Sequence, residues 1–183
     1  MSVYQSIAKY GPRFFKRSSL FKHGLNWSPM YRRTTGRVVS VSDDLLRIVV
    51  EVPIDYRNRN YVGAIFGGSL FSAVDPVPMV QLINLLDSQY IVWDKSAEIR
   101  FKVPAYQDVV AESVYTPEEV EAIRSEVESA GEMVYVKTTR YTDRGGKTVF
   151  CEIDKTLYIA TKAHYKAKKQ RRASEASGAR SGG

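Results

Sequence analysis

One carboxylate stands alone in the most hydrophobic stretch of the 183-residue chain. Asp75 lies between Val74 and Pro76, and no basic residue is close to it in sequence. An ionised carboxylate among apolar neighbours is costly unless it is ion-paired, caps a helix or takes part in chemistry. Two roles therefore stay open for Asp75: a reactive carboxylate, or the cap of a helix that restarts at Pro76.

Three glycines precede this carboxylate: Gly63, Gly67 and Gly68. If a helix begins at Gly67, its first amides have no intrahelical acceptor, and no side chain blocks an approaching group. Such a helix start binds anions and polarised oxygen atoms. Asp75 lies about two turns further on and would face the same site. A structural interpretation is also open, because glycines allow a helix and a strand to pack closely.

Few other residues of the predicted core are suited to chemistry. The single cysteine, Cys151, is expected in mid-strand as an inert core thiol. The two histidines, His23 and His164, lie in the basic flanks, so neither is expected to activate Ser69 as a nucleophile. One cysteine and two histidines are too few for the common metal sites. We therefore expect no metal and no other cofactor.

The net charge of +7 is unevenly distributed. Residues 1–42 contain eight Lys and Arg and no acidic residue, and residues 161–183 contain seven basic residues and one acidic residue. Residues 43–160, in contrast, contain 12 basic and 19 acidic residues. A reader of nucleic acid carries its positive charge on a folded face, so we expect no specific nucleic-acid partner. Association with nucleic acid or membrane through the basic ends is a third-ranked alternative.

Hydrophobic periodicity outlines the fold. Residues 37–41 and 45–52 alternate as two strands, and a helix that is apolar nearly all round ends at Leu86. Further strands are predicted at residues 90–103, 108–115, 133–141 and 148–160, with an amphipathic helix opening at Thr116 between the second and third of these. This order predicts an α+β fold, a curled antiparallel sheet wrapped around one central helix.

The chain divides into three predicted parts: a basic amphipathic segment at residues 1–35, the folded domain at 36–161, and a basic disordered tail at 162–183. The first part is either a helix packed on the domain's own sheet or a membrane-surface or organellar targeting helix. No apolar run is long enough to span a bilayer, because Asp75 and two prolines interrupt the best candidate. With one cysteine and no apolar leader, we expect a cytoplasmic protein.

The pattern Asn60-x-x-Gly63-x-x-Phe66-Gly67-Gly68, followed by Asp75, resembles a motif of hotdog-fold acyl-CoA thioesterases. That motif is N-x-x-G-x-x-H-G-G, in the phenylacetate-pathway (PaaI-like) branch. A second family of hotdog proteins, DUF4442, is more similar in detail. Three features carry that similarity, the Phe-Gly-Gly-Ser-Leu-Phe stretch at 66–71, the Asp-Pro pair, and the Val-Trp-Asp-Lys-Ser-Ala strand at 92–97.

The resemblance implies a five- to six-stranded antiparallel sheet around a central helix, assembled into a homodimer or homotetramer with active sites between subunits. It implies hydrolysis of acyl-CoA or a related thioester. Asp75 would be the general base or nucleophile, and the amide of Gly68 or Gly67 would polarise the thioester carbonyl. The expected substrate contacts are Asn60, Gly63, Phe66, Gly67, Ser69 and Lys95.

The chain departs from the motif at Phe66, which occupies the place of the histidine. Phenylalanine cannot hydrogen-bond a carbonyl, so a second function stays open, a hotdog protein that binds acyl chains or acyl-CoA without turnover. The adjacent charges Asp94 and Lys95 point to opposite faces of their strand. One of them is expected near the site across the dimer, or else they protect a strand edge from aggregation.

Overall fold

The structure, a computed structural model, describes residues 16–180, with side chains to residue 174. The helices are α1 (Arg17–Trp27), α2 (Gly67–Val74), α3 (Pro76–Leu85), α4 (Pro117–Ala130) and α5 (Lys162–Arg180), with a 3₁₀ turn at Tyr31–Thr34. The strands are β1 (Arg37–Val41), β2 (Arg47–Val52), β3 (Tyr90–Phe101), β4 (Val109–Val114), β5 (Glu132–Thr142) and β6 (Val149–Thr161). The first part of the predicted amphipathic segment, residues 1–15, lies outside the described residues.

All six strands form one antiparallel sheet in the order β1-β2-β4-β5-β6-β3. The longest strands, β3, β5 and β6, lie together at one end of it. Strand β3 is an edge strand, because its only partner in the described sheet is β6. The predicted α+β architecture, a sheet around a central helix, is confirmed.

Helices α1 to α4 cover one face of the sheet, and the buried side chains on that face form two hydrophobic clusters. The first lies under α1 and α2 and includes Ile48, Val74 and Ile153. The second lies under α3 and α4 and includes Leu82 and Leu157. On β6 the alternate residues from Cys151 to Ile159 point to this covered face. The space between the two clusters on β6 is where the site forms.

The central helix is interrupted once, at Asp75-Pro76. Asp75 itself has helical backbone angles (φ −46°, ψ −50°), and its N–H donates to the carbonyl of Phe71 at 2.9 Å. Pro76 and Pro78 have no N–H to donate, so the regular bonding pattern breaks here. The Asp75 side chain makes no capping hydrogen bond. Asp75 therefore stands at the N-cap position and the helix restarts at Pro76 as predicted, but the Asp75 side chain does not cap the helix.

The predicted helix α4 has the end structures that its sequence indicates. The Thr116 hydroxyl accepts from the N–H of Glu119 at 3.1 Å, and the Glu119 carboxylate accepts from the N–H of Thr116 at 3.2 Å. This reciprocal pair is a capping box. Gly131 ends the helix at φ 82°, a conformation that favours glycine.

The described part of the N-terminal flank agrees with one of its two interpretations, a helix packed on the domain's own sheet, whereas the C-terminal flank lacks the predicted disorder over residues 162–180. Helix α1 packs on β1, where the Asn26 amide bonds both the N–H and the carbonyl of Val38 at 2.9 Å, so residues 17–27 belong to the folded unit. The tail expected to be disordered from residue 162 forms helix α5. Its many Ala, Lys and Arg residues are strong helix formers, and Tyr165 packs against Trp93. None of the described helices is long and apolar enough to cross a membrane.

Candidate active site

A buried lysine lies between the two clusters on the covered face. Lys155 is 2% exposed, midway along β6, between the fully buried Ile153 and Leu157. Its ammonium donates to the carboxylate of Asp75 and lies 3.1 Å from that of Asp94. Lysine is almost never fully buried unless it is paired, and here two acids share it. We call Asp75, Lys155 and Asp94 the carboxylate–lysine triad.

Three separate elements bring the triad together. Asp75 comes from the junction of α2 and α3, Asp94 from β3, and Lys155 from β6. In the β3–β6 register, Asp94 lies opposite Leu157 and Ala97 lies opposite Lys155. Residues three apart on a strand normally face opposite sides. A bulge between Asp94 and Ser96 keeps Asp94 on the covered face, where it reaches the lysine.

The two carboxylates differ in their electrostatic surroundings. Burial raises the pKa of Asp94 above the ordinary value of 3.8, and the Asp75 charge adds to the rise while Lys155 opposes it. The Asp75 side chain is 39% exposed and is thus the more open of the two. The charged form of Asp94 is therefore penalised by its position, and Asp75 is the more exposed carboxylate of the triad.

A second buried lysine, Lys137, has its charge compensated by a glutamate. Lys137 lies directly opposite Lys155 in the β5–β6 register. Its ammonium pairs with the Glu119 carboxylate at 2.7 Å and lies 4.0 Å from the centre of the Tyr115 ring. Because Glu119 compensates the charge of Lys137, the cation that pairs with the two aspartates of the triad is Lys155.

The start of α2 offers free amides beneath aromatic rings. Within residues 16–180, the N–H groups of Gly67 and Gly68 have no hydrogen-bond acceptor. A Cβ on Gly67 would lie 2.4 Å from the Phe101 ring, and one on Gly68 would lie 2.3 Å from the Phe66 ring. Glycine at both positions thus allows the two phenylalanine rings to pack closely on the helix start. The same packing leaves the amides at the helix start open, so the two sequence-based interpretations are compatible.

The loop before α2 is held by its own polar residues. The Asn60 side-chain oxygen accepts from the N–H groups of Val62 and Ala64, both at 3.1 Å. Gly63 has φ 84°, a conformation that strains other residues. Asn60 and Gly63 therefore shape the turn that delivers Phe66 to the helix start.

Asn58 is a site-supporting residue that sequence reasoning missed. It is buried, donates to the Pro53 carbonyl at 2.7 Å, and accepts from the N–H of Asp55 at 2.9 Å. Its own carbonyl accepts from the N–H of Phe66 at 2.7 Å. No feature of the polar loop sequence marks Asn58, because its partners are backbone groups and the Thr35 hydroxyl, to which it also donates at 3.0 Å.

The remaining predicted residues are spread around the site. Ser69 lies in the first turn of α2, where its N–H donates to the Phe66 carbonyl at 2.9 Å. Lys95 is not brought to Asp75; it lies at the β3 bulge and lines a cavity that also contacts Trp93. Cys151 is fully buried, and burial raises the pKa of its thiol to about 12.

The described side chains do not form a recognisable metal site. In residues 16–174 no three His, Cys, Asp or Glu side chains are grouped so that they could hold a metal ion. Neither lysine of the covered face was predicted from the sequence. The sequence pattern could have predicted the burial of Lys155, because Lys155 alternates with the apolar residues Ile153 and Leu157 on one face of the strand.

Solved structures share this architecture. A Pseudomonas aeruginosa protein of unknown function, named a probable thioesterase, has a TM-score of 0.69 at 21% identity, covering 78% of this chain and 95% of its own. A Chlorobaculum tepidum protein of unknown function has a TM-score of 0.62 at 15% identity, covering 78% and 93%. A Haemophilus influenzae thioesterase has a TM-score of 0.55 at 12% identity, covering 76% and 87%.

At identities of 21% or less, these similarities show the fold alone. The protein has the α+β hotdog fold, as predicted. Residues 17–159 match DUF4442, a domain of unknown function, and the chain therefore belongs to the DUF4442 family. Among curated proteins the chain has no match. The resemblance drawn from the glycine motif and the β3 sequence is confirmed. The match begins at α1, which agrees with the packing of this helix on β1.

Proposed function

We propose that the protein hydrolyses acyl-CoA or a related thioester. One observation carries the proposal: Asp75 pairs with buried Lys155 and does not cap α3, and it follows the open amides of Gly67 and Gly68 on the same helix. A carboxylate held by a buried cation and unpaired helix amides are the two groups that acyl transfer needs. Because about two helical turns separate them on one chain, they meet around one substrate across a pair of chains. The fold shared with a thioesterase from Haemophilus influenzae supports the reaction class.

In the proposed reaction, the amides of Gly67 and Gly68 donate to the thioester carbonyl oxygen. Asp75 takes a proton from a water molecule, whose oxygen adds to the carbonyl carbon. The negative charge that develops on the carbonyl oxygen is stabilised by the same amides. The carbon–sulfur bond then breaks, and the thiolate takes up a proton, so that a carboxylic acid and a thiol leave. Direct attack by Asp75 followed by hydrolysis of the anhydride gives the same products.

Lys155 acts on this reaction through Asp75. It holds one carboxylate oxygen of Asp75, and the Asp75 side chain, which is 39% exposed, stays open to the substrate. Its burial between apolar neighbours limits the positions that the ammonium can take. We therefore assign Lys155 as a positioning residue.

A second function, binding of acyl chains or acyl-CoA without turnover, is favoured by Phe66. This ring is 57% exposed at the helix start, where a hydrogen-bonding side chain would orient a carbonyl. An apolar ring there suits contact with an acyl chain or a pantetheine arm. Under both functions, Asn60, Gly63 and Ser69 shape the entrance.

We further propose that the site is completed by a second copy of the chain. Edge strand β3 leaves unpaired backbone groups, which a second β3 can pair. Exposed apolar side chains lie near its end and at the start of α2, among them Phe66, Phe101, Val103 and Tyr106. Burial of such side chains favours a homodimer, and pairing of dimers would give a tetramer. A cytoplasmic location stays a prediction from cysteine usage.

Free-thiol release from a panel of acyl-CoA chain lengths tests the function. We expect turnover by the wild type and a loss of at least about 100-fold in kcat for Asp75→Asn and Asp75→Ala, the usual contribution of a general base. Glu121→Gln, at an exposed acid on α4, is the matched control and should keep wild-type rates. Turnover that survives both Asp75 substitutions would contradict the role of Asp75. Saturable acyl-CoA binding with no turnover would establish the second function.

A further inference from the structure

The cavity lined by Lys95 and Trp93 lies on the opposite face of β3 from the triad. It has a volume of about 270 Å³ and lies between α5 and the outer face of β3 and β6. Trp93 points to this face because it lies opposite Tyr158, whereas its neighbour Asp94 lies opposite the inward Leu157. Every side chain that lines the cavity is aromatic or basic. The proposed hydrolysis uses none of them.

The aromatic wall of the cavity is held in place. The rings of Trp93 and Tyr158 stack with their centres 5.1 Å apart and their planes at 22°, and Tyr165 meets Trp93 edge-on at 4.9 Å. The Tyr158 hydroxyl donates to the Glu132 carboxylate, which fixes its ring. Trp93 is still 37% exposed. A rigid indole with an open side is a surface on which planar rings stack.

The cations of the cavity are mostly uncompensated. Lys168 is anchored by Glu132, with its ammonium 2.6 Å from one carboxylate oxygen. Lys95, Lys169 and Arg172 also line the cavity, and no ion pair joins any of them to an acid among the described side chains. Three like charges around one small space repel one another unless an anion lies between them. Arginine and lysine side chains are the usual partners of phosphate groups.

We propose that this cavity, the α5 cleft, binds a phosphate-bearing molecule with a planar ring, that is, a nucleotide. An uncharged acyl chain would leave the cations unpaired, and a cationic ligand would be repelled. The volume is just below the range of about 300–1,000 Å³ for typical ligand pockets, so the cleft fits one nucleotide and not a dinucleotide. A free nucleotide and the nucleotide end of CoA share this chemistry. The proposal does not depend on thioester hydrolysis.

Fluorescence of Trp93 tests the proposal directly. The chain has two tryptophans, so Trp27→Phe leaves Trp93 as the reporter in the full-length protein. The probes are ADP, CoA, inorganic pyrophosphate and adenosine at one fixed salt concentration. We expect a saturable change with ADP and with CoA, weaker binding of pyrophosphate, which cannot stack, and no binding of adenosine, which has no charge. Binding should weaken as salt rises, because cations provide the attraction.

Two variants assign the binding to the cleft. Lys169→Ala with Arg172→Ala should raise the Kd for ADP at least tenfold. Lys166→Ala with Lys147→Ala removes the same charge from exposed positions outside the cleft and should leave the Kd unchanged. All four positions are on the surface, and thermal unfolding of each protein checks that the fold is intact.

The outcomes separate the sources of the ligand. CoA binding tighter than ADP, and lost in the cleft variant, assigns the site to the CoA carrier; equal affinities assign it to a free nucleotide. The proposal is overturned if ADP, CoA and pyrophosphate give no saturable change, or if the cleft and control variants bind equally. It is also overturned if single-stranded RNA or vesicles of anionic phospholipid bind while the small molecules do not.

Discussion

The ammonium of Lys155 and the carboxylate of Asp75 form an ion pair between residues 80 positions apart in the chain. It joins the middle of β6 to the junction of α2 and α3. The burial is one-sided, since the Lys155 side chain is 3% exposed and that of Asp75 is 39% exposed. Both acids are partly exposed to water, whereas Lys155 is almost fully buried and has too little solvent contact to replace the acids. The energetics of the site therefore centre on Lys155.

Replacement of this lysine should cost stability. Lys155→Met keeps most of the volume but removes the bonds to Asp75 and Asp94, leaving two facing carboxylates without a cation. We expect the free energy of unfolding to fall by about 1.5–3 kcal/mol, the net worth of hydrogen bonds to charged groups. Urea denaturation measures it. Lys147→Met, at an exposed turn position, should change it by less than about 0.5 kcal/mol. Equal effects would contradict the importance of the triad.

Asp94 should give stability a distinctive pH dependence. Because burial raises its pKa, the folded protein binds this proton more tightly than the unfolded chain does. Its contribution to stability is thus fully present below the ordinary pKa of 3.8 and is lost as pH rises through the raised pKa. The difference in unfolding free energy, wild type minus Asp94→Asn, should decrease over that range.

Asp143 is the control for this titration, since its shift has the opposite sign. The N–H of Lys147 is the main cause that lowers the pKa of Asp143. The contribution of Asp143 to stability is present above its ordinary pKa and is lost as pH falls. The difference in unfolding free energy, wild type minus Asp143→Asn, should therefore increase with pH. Chemical denaturation at a series of pH values measures both. A wild-type-minus-Asp94→Asn difference that rises with pH would contradict the buried position of Asp94.

Two glycines should respond oppositely to alanine. A Cβ on Gly36 would lie 2.4 Å from the Cβ of Ala73, which is fully buried in α2, so Gly36→Ala should destabilise by about 1–3 kcal/mol. Gly24 lies inside α1, and a Cβ on it would have no atom within 4 Å, so Gly24→Ala should stabilise by about 0.5–1 kcal/mol. Thermal or urea unfolding compares them. Similar effects of both would show that α2 does not approach Gly36 so closely.

Assembly should depend on the apolar residues near the end of β3. Phe101→Asp places a charge among the exposed side chains that we assign to the dimer contact, and we expect sedimentation velocity to show a shift from dimer to monomer. Val134→Asp adds the same charge on the outer face of β5, where Val134 is equally open. It should leave a dimer intact and reduce a tetramer to dimers if that face pairs. A wild-type monomer at micromolar concentration would refute the proposed assembly.

Local signals in the sequence predicted much of the fold. Period-two alternation marked the strands, Thr116 and Glu119 marked a capping box, and the Asp75-Pro76 step marked the helix break. These features depend on neighbours in the chain, which is why they could be recognised without coordinates. The prediction of a disordered tail was wrong over residues 162–180 because it depended on composition alone. A polar composition indicates disorder unless a distant contact supports a helix, and here Trp93 contacts Tyr165.

By itself the sequence determined the hotdog class, the central helix and the singular position of Asp75. Residue types, periodicity and glycine spacing act over a few residues, so they can be recognised directly. Only the tertiary structure decided that Asp75 meets Lys155 and Asp94, that Lys95 faces the α5 cleft, and that Asn58 supports the loop. The contacts of Lys155, Asp94 and Lys95 depend on strand register and on one bulge in β3. A shift of one residue in register would turn each side chain to the opposite face.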